Sequence, residues 1–235
     1  MVDSYGQALL DYQNGKYQED IVTYSSLDEK DILPLPYMFR DFEEMPLLEQ
    51  KAMKCAKGTV LDIGCGAGSH SLHLQEKGFD VTGLDTSQKA IEVCALRGLK
   101  KQICTDILNH NNKKYDTLLL LMNGIGIAKN LKELPRFLNH LKSLVKPGGQ
   151  VLLDSSDIIY MFDTDEDGGH WIYGNVNYYG EVQFQMEYKN QKGPTFDWLY
   201  IDFYTLKNYA EKENLKCELM AKGGHYDYLV RLTLK

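Results

Sequence analysis

The sequence has little of what marks several large protein classes. Its five cysteines are odd in number, scattered and without CxxC spacing, so they predict reduced thiols and neither disulfides nor a zinc site. Lys and Arg number 26 against 33 Asp and Glu, which gives a net charge of −7, and no basic stripe is present. A nucleic-acid partner is therefore disfavoured.

Long hydrophobic runs are also absent. The longest, residues 118–122 with a weak extension to residue 128, is shorter than the roughly 20 residues that cross a bilayer. The first residues lack the charged and then apolar pattern of a signal peptide, and no internal repeat or low-complexity tract is present. We therefore expect a cytoplasmic protein without membrane association, built as one domain of 235 residues.

Glycine is concentrated at one place where a ligand would approach the backbone. An apolar run that contains Asp62 passes directly into three glycines at alternate positions, Gly64, Gly66 and Gly68. Glycine adopts positive φ and places no Cβ between backbone and ligand, so this spacing indicates a tight turn that a ligand contacts closely. With the helical pattern at 69–77, it is typical of a nucleotide-binding α/β unit. Without that context, an ordinary turn explains the same glycines.

Two further acids follow at regular intervals. The strand pattern 79–85 ends at Asp85, 21 residues beyond the first glycine. The strand pattern 101–105 is followed by Asp106, another 21 residues on. An acid about 20 residues after such a loop can accept hydrogen bonds from both ribose hydroxyls of an adenosine. Capping of the next helix by residues 85–87 is the alternative role.

This arrangement resembles the class I S-adenosylmethionine-dependent methyltransferases, whose first motif is an acid followed two residues later by three alternating glycines. Dinucleotide-binding folds use GxGxxG, and this chain has Ser69 where the last of those glycines would stand. Asp62 suits the ammonium group of S-adenosylmethionine but would repel a pyrophosphate, so a nicotinamide-dependent oxidoreductase is disfavoured. The resemblance covers residues 47–235. It implies an α/β, three-layer αβα Rossmann-like fold with a seven-stranded, mostly parallel sheet and an antiparallel last strand.

The resemblance also implies a set of cofactor-binding residues. The backbone of residues 64–68 would wrap the methionine part of S-adenosylmethionine, and Asp62 would reach its amino group directly or through water. Asp85 would hold the ribose hydroxyls, with the next residue beside the adenine. Asp106 would accept a hydrogen bond from the adenine, and Ile107 would form an apolar wall. The implied set is Asp62, Gly64, Cys65, Gly66, Gly68, Asp85, Thr86, Asp106, Ile107, Asn123 and Arg40.

Two members of this set have plainer alternatives. Asn123 follows the apolar run 116–122 and would lie near the transferable methyl group, but an Asn-Gly turn explains the same letters. The Asn/Asp-Pro-Pro-aromatic motif that many amine and base methyltransferases of this family carry there is missing. Arg40 would pair with the cofactor carboxylate through two hydrogen bonds, and an exposed arginine without a ligand is the alternative.

The C-terminal half supplies the rest of the sheet. Leucines at three-to-four spacing predict a helix over 131–145, which Lys-Pro-Gly-Gly ends before a fifth strand at 150–155. A helix is predicted at 206–213, with Thr205 as its cap. Two strands follow, at 215–221 and 226–234. The resemblance implies that the last strand lies between the fifth and the sixth.

Two segments outside this core are expected to select the substrate. Residues 1–50 are rich in tyrosine and predict a helical lid over the cofactor. In the insertion that follows the fifth strand, alternation at 181–188 predicts a hairpin with 196–203, turning at 190–193. The single domain thus divides into a lid (1–50), a cofactor-binding half (51–155), an insertion (156–202) and a C-terminal helix with a strand pair (203–235).

The insertion also carries a cluster of ring and apolar side chains at His170, Trp171, Ile172 and Tyr173. They would line a pocket for a small organic acceptor or, alternatively, pack the hairpin onto the core. The acidic run 163–167 lacks the order of a calcium loop and predicts a solvated loop. His70 and His73 lack a third ligand at a matching distance, so no metal site is predicted.

The sequence therefore predicts in-line transfer of a methyl group from S-adenosylmethionine to a small-molecule acceptor. The alternative is a non-catalytic cofactor-binding scaffold or regulatory subunit that lacks an acceptor site. Holding methyl group and acceptor close, aligned and dry accounts for the chemistry, so no catalytic residue is predicted. The sequence leaves open the acceptor, the methylated atom and the oligomeric state.

Overall fold

The computed structural model describes residues 2–165, 167, 169–172 and 177–235. Two β-sheets organise these residues. A seven-stranded sheet forms the centre, and a four-stranded sheet joins the N-terminal segment to the insertion. Within the described part of the chain, no helix is both long and apolar enough to cross a bilayer.

The elements follow one another as a mixed α/β chain. The helices are α1 (Ser4–Gln13), α2 (Leu35–Met38), α3 (Leu47–Cys55), α4 (Ser69–Glu76), α5 (Gln88–Leu96), α6 (Leu134–Leu144) and α7 (Phe203–Lys212). The first six strands are β1 (Ile21–Ser25), β2 (Lys30–Leu33), β3 (Thr59–Ile63), β4 (Asp80–Asp85), β5 (Gln102–Cys104) and β6 (Tyr115–Leu120). The other five are β7 (Val145–Ser156), β8 (Glu181–Tyr188), β9 (Gln191–Leu199), β10 (Leu215–Lys222) and β11 (Asp227–Leu234).

The seven-stranded sheet has the strand order β10-β11-β7-β6-β3-β4-β5. β11 is antiparallel to both of its neighbours, and the pairs from β7 to β5 are all parallel. The last strand of the chain therefore lies between the fifth and the sixth strands of this sheet. The expected Rossmann-like sheet is confirmed.

The central strand β6 and the residue after it show how the helices cover both faces of the sheet. Leu118 and Leu120 belong to one hydrophobic cluster with α6 and α7, whereas Leu119 and Leu121 belong to another with α3 and α4. Successive side chains of a strand point to opposite faces, so a strand covered on both sides is apolar at every position. The apolar run in the sequence is therefore continuous because helices cover both faces of this strand, which gives the fold its three layers.

The four-stranded sheet has the order β2-β1-β8-β9, with every pair antiparallel. It corrects the expectation of a helical lid at 1–50, because two segments of that region are strands. β1 reads Ile-Val-Thr-Tyr-Ser, which suits a strand, and Val22 pairs with Glu187 of β8. Because the partner strand is so distant in the sequence, no local pattern indicates this pairing.

A hydrophobic cluster fixes the N-terminal segment and the insertion on the glycine loop. Leu9 of α1 and Leu35 of α2 share this cluster with Tyr188 of β8. Ala67, inside the glycine loop, and Ala90 of α5 belong to it as well. The two segments outside the central sheet therefore form one cap over the loop.

The hairpin of the insertion turns earlier than the sequence predicts. Lys189 and Asn190 have φ of 50° and 58°, which suits a two-residue type I′ turn. The prediction of a turn at 190–193 is therefore wrong. As a result, β9 begins directly after Asn190 and ends at Leu199, so the predicted strand 196–203 is wrong at both ends.

The start of α7 also differs from the prediction. Asp202 is the cap, since its side chain accepts hydrogen bonds from the backbone N–H groups of Tyr204 and Thr205. Thr205 lies within the first turn, so its predicted capping role is wrong. Both residue types are good caps, and the one earlier in the chain takes the position.

Gly126 permits close packing between the turn Gly124–Ala128 and β9. A Cβ on Gly126 would overlap the indole ring of Trp198. We expect Gly126→Ala to lower the free energy of unfolding by about 1–3 kcal/mol, because the added methyl group must displace the ring. Gly224→Ala is the matched control, since no atom lies within 4 Å of its Cβ position. Urea unfolding tests this, and equal stability of the two variants would contradict it.

Candidate active site

The glycine loop joins β3 to α4 and takes its shape from positive φ angles. Gly64, Gly66 and Gly68 have φ of 75°, 53° and 83°, in the left-handed region that favours glycine. The backbone N–H groups of Gly64 and Cys65 donate to the carbonyl of Leu84 at 2.8 and 3.0 Å. These two hydrogen bonds hold the loop at the end of β4, on the carboxyl edge of the sheet.

The far side of the loop packs on α5 through sulfur. Cys65 is buried, and its Sγ lies 3.8 Å from Cys94 Sγ. A Cβ on Gly68 would lie 2.9 Å from the same sulfur of Cys94. The Cys65 side chain thus faces the protein interior, and its backbone belongs to the loop.

Asp62 lies beneath the loop, with 2% of its surface exposed. Its Oδ2 accepts a hydrogen bond from Ser71 Oγ of α4 at 2.7 Å. Burial raises the pKa of Asp62 above its ordinary value. The side chain therefore ties β3 to α4, and its role toward the cofactor's amino group stays a prediction.

Asp85 connects three parts of the site. Its Oδ2 accepts from the backbone N–H of Gly66 at 3.0 Å, and its Oδ1 accepts from the backbone N–H of Ser87 at 2.9 Å. The cap of α5 is Ser87, whose side chain accepts from the N–H of Ala90. Burial raises the pKa of Asp85. The carboxylate thus joins β4, the glycine loop and the start of α5.

α1 covers the glycine loop. The Tyr5 hydroxyl lies 2.5 Å from the position of a Cβ on Gly66, and it donates to Met38 Sδ at 3.7 Å. Asp3, the cap of α1, accepts a hydrogen bond from Ser87 Oγ at 2.6 Å. Burial, and then the charge of Asp85, raise the pKa of the Tyr5 phenol, which therefore stays protonated.

Arg40 is buried, so the alternative of an exposed arginine is wrong. Its Nη2 donates to Glu49 Oε2 at 2.5 Å, its Nη1 donates to the carbonyl of Tyr37 at 2.6 Å, and the guanidinium stacks on the Tyr37 ring at 4.0 Å. His70 Nε2 lies 2.6 Å from the same oxygen of Glu49. Burial alone would raise the pKa of Glu49, but His70 and Arg40 hold it below its ordinary value. Arg40 Nε is buried and has no partner among the described residues.

Asp154, near the end of β7, supports the backbone that follows β6. Its carboxylate accepts from the N–H groups of Met122 at 3.1 Å and Gly124 at 3.3 Å. Met122 and Asn123 have φ of 63° and 56°, so these contacts hold an unusual left-handed pair. Burial, and then the charge of Glu49, raise the pKa of Asp154 to about 7.

A cavity of about 370 Å³ lies at the carboxyl ends of β6 and β7. Asn123 lines it, and the Oδ1 of this side chain is buried without a partner among the described residues. The cavity lies beside the glycine loop, because β3 pairs with β6. Its lining residues are Tyr37, Pro46, Leu48, Glu49, Met122, Asn123, Asp154, Ser155, Ser156, Tyr160, His225 and Asp227.

The residues predicted to border the adenine lie beyond Asp85. Asp106 is exposed and accepts from the N–H of Leu108 at 2.8 Å, as the cap of the short turn Ile107–Asn109. Ile107 is 2% exposed and belongs to a core cluster. Thr86 is exposed, and its carbonyl accepts a weak hydrogen bond from Cys104 Sγ at 3.5 Å. Their roles toward adenine stay predictions.

Residues 37–187 match a family model described as a methyltransferase domain. A crystal structure of an S-adenosylmethionine-dependent methyltransferase from Bacteroides fragilis, in complex with S-adenosylhomocysteine, is 42% identical in sequence and superposes with a TM-score of 0.91. That match covers 99% of this chain and 94% of the other. The chain belongs to the S-adenosylmethionine-dependent methyltransferases. The resemblance drawn from the glycine loop and the acids is confirmed.

Curated relatives of this methyltransferase match over shorter regions. A glycine/sarcosine N-methyltransferase of Halorhodospira halochloris is 29% identical over 132 residues, which cover 53% of this chain and 49% of that protein. A ubiquinone biosynthesis O-methyltransferase of Photorhabdus laumondii is 28% identical over 100 residues, which cover 41% and 42%. The matches thus span less than two thirds of each relative's length.

The candidate site of this methyltransferase contains residues that sequence reasoning did not single out. They are Glu49, Asp154, and Tyr5 as the residue over Gly66; His70, which the sequence offered only as a metal ligand, is the partner of Glu49. For Asp154 a signal existed, because it is an acid close to the end of a strand. The residues predicted to line an acceptor pocket are not among those that line this cavity. His170, Trp171 and Ile172 are exposed and do not line it, and Tyr173 lies outside the described residues.

The raised pKa of Asp154 predicts a pH-dependent stability. The ordinary pKa is 3.8 and the folded value is about 7, so the folded chain binds this proton more tightly than the unfolded chain. The stabilisation is complete below the ordinary pKa and is lost as the pH rises through the folded pKa. Asp154→Asn removes this titration. We expect the unfolding free energy of the wild type, measured relative to the variant, to fall between about pH 4 and about pH 8. A pH-independent difference in urea unfolding would contradict this.

Proposed function

We propose that this methyltransferase transfers the methyl group of S-adenosylmethionine to a small-molecule acceptor in the cavity beside Asn123 and Asp154. The position of that cavity carries the proposal. It lies at the ends of β6 and β7, next to the glycine loop at the end of β3. Its volume of about 370 Å³ is in the usual range of small-molecule sites. A cofactor on the loop and an acceptor in the cavity would be direct neighbours.

Several features of the chain fit the cofactor. The loop has positive φ at Gly64, Gly66 and Gly68, a backbone path that glycine adopts readily and that forms a tight turn at the carboxyl edge of the sheet. Arg40 is buried with Nε unpaired among the described residues, so its guanidinium has a donor left for the cofactor carboxylate. We assign the amino group to Asp62 and the ribose to Asp85. The adenine would lie against Thr86, Asp106 and Ile107.

The protein's part in the reaction is binding, orientation and exclusion of water. When bound, the cofactor supplies a methyl group that its sulfonium makes electrophilic. Tyr5 and α1 cover the loop, which keeps water from this side of the site. Asn123 Oδ1 can accept a hydrogen bond from an acceptor N–H or O–H, which would orient the attacking atom.

The curated relatives support a small acceptor. One is named as a glycine/sarcosine N-methyltransferase, and the other is named as an O-methyltransferase of ubiquinone biosynthesis. A non-catalytic cofactor-binding scaffold would have no use for an acceptor cavity. The cavity beside Asn123 therefore favours an enzyme over that alternative, and release of S-adenosylhomocysteine on incubation with small acceptors would test it.

The two acids at the ends of β4 give a matched test of the cofactor site. Asp85→Ala should weaken S-adenosylhomocysteine binding by roughly 1–3 kcal/mol, because it removes a charged hydrogen-bond acceptor from the ribose and releases Gly66. Asp80→Ala is the control, since Asp80 is exposed at the start of β4 and pairs with Lys101 at 2.6 Å. It should bind like the wild type.

Isothermal titration calorimetry on the three proteins measures both effects. Equal affinity of the wild type and Asp85→Ala would remove Asp85 from the ribose site. Wild-type protein that binds neither S-adenosylmethionine nor S-adenosylhomocysteine would contradict the proposed function itself.

A further inference from the structure

The acceptor cavity is lined by acids. Glu49, Asp154 and Asp227 line it, and the described lining residues include neither lysine nor arginine. An anionic acceptor would be repelled here, whereas a cationic one would be attracted. The sign of the charge therefore restricts the class of acceptor.

The three acids differ in how their charge is balanced. Glu49 pairs with Arg40 and His70, so its charge is already compensated. Asp227 accepts from the backbone N–H of His225 at 2.9 Å, near the surface. Asp154 accepts from two backbone N–H groups and has no ion pair with a described residue. A poorly solvated carboxylate without a cation is costly, and a bound cation would relieve that cost.

Two of the residues that line this cavity carry a hydrogen-bond acceptor that no described side chain pairs. The Asp154 carboxylate holds the turn that carries Asn123, and the Asn123 Oδ1 has no partner among the described residues. An ammonium or amine nitrogen with two or more N–H groups could donate to both. A hydroxyl group has one hydrogen to donate and could serve only one of them.

The walls beside these acceptors are aromatic. Tyr37 and Tyr160 line the cavity, and the Tyr160 ring stacks on Tyr226 with 5.1 Å between centroids. Arg40 already occupies one face of Tyr37. Rings at such a site attract a cation to their faces and cover the apolar part of a ligand.

We propose that the methyl acceptor is a small primary or secondary amine whose nitrogen binds between Asp154 and Asn123. The inference rests on the proposed function and names its substrate class. The ammonium gives one proton to the Asp154 carboxylate. The nitrogen lone pair then forms a bond to the methyl carbon, the carbon–sulfur bond breaks, and its electron pair passes to sulfur, which becomes neutral. Asp154 afterwards releases its proton to water.

The titration of Asp154 is compatible with this step. A carboxyl with a pKa of about 7 can exchange protons near neutral pH. The titratable and charged groups around it are Tyr37, Arg40 and Glu49 from the N-terminal segment, His70 of α4, Tyr160 after β7, and His225 and Asp227 at β11.

A set of matched fragments tests the proposal by direct binding. Benzylamine, benzyl alcohol and benzoate are titrated by NMR into the full chain saturated with S-adenosylhomocysteine, at neutral pH. We expect benzylamine to bind about 10-fold or more tightly than benzyl alcohol, and benzoate not to bind. Asp154→Asn, titrated at a concentration of S-adenosylhomocysteine that saturates the variant, should abolish the preference. Asp197→Asn, an exposed acid on β9, is the control and should keep the preference.

Each contrary result overturns the proposal. These results are no benzylamine binding at millimolar concentration, binding of benzyl alcohol or benzoate as tight as that of benzylamine, and a preference that survives in Asp154→Asn. The wild-type comparison does not depend on how well the variant folds. Failure of the proposed function is seen separately, as absence of S-adenosylhomocysteine binding in calorimetry.

Discussion

The cofactor side of the site depends on the carboxylate of Asp85. One oxygen accepts from the backbone of Gly66 and the other from the backbone of Ser87, so β4, the glycine loop and α5 are joined by one anion. The donors are main-chain groups, and the contact therefore fixes the path of the backbone itself. Asp3 reaches the same place through Ser87 Oγ, which brings α1 and Tyr5 over the loop. The strand and loop that form the site, and the helix α1 that covers it, are thus held at the same point.

Charge is distributed unequally across the two halves of the site. At one wall of the cavity, where the N-terminal segment contacts α4, Arg40 and His70 converge on Glu49, and this cluster leaves one guanidinium nitrogen unpaired among the described residues. At the other wall, near the ends of β6 and β7, the Asp154 carboxylate accepts from two backbone N–H groups and has no ion pair with a described residue. A ligand with a carboxylate suits the first wall, and a ligand with an amine suits the second. Under the proposed function, this asymmetry would place the cofactor carboxylate near Arg40 and a cationic acceptor near Asp154.

Local sequence signals were sufficient for the central sheet and for the cofactor loop. The three glycines in five residues, and the acid at the end of β4, can be recognised from residues close to them in the chain. The pairing of β1 with β8 and the contact of Glu49 with His70 depend on tertiary packing, so periodicity could not reveal them. Asp154 was visible in the sequence as an acid close to a strand end. Only the folded chain shows that its carboxylate forms no ion pair with a described residue.

The most direct test of the account is a crystal structure of this methyltransferase with S-adenosylhomocysteine bound. We predict that both ribose hydroxyls lie on the Asp85 carboxylate and that the sulfur faces the cavity beside Asn123 and Asp154. A sulfur directed away from that cavity, or a ribose held by other residues, would contradict the assignment of this edge of the sheet as the site of methyl transfer.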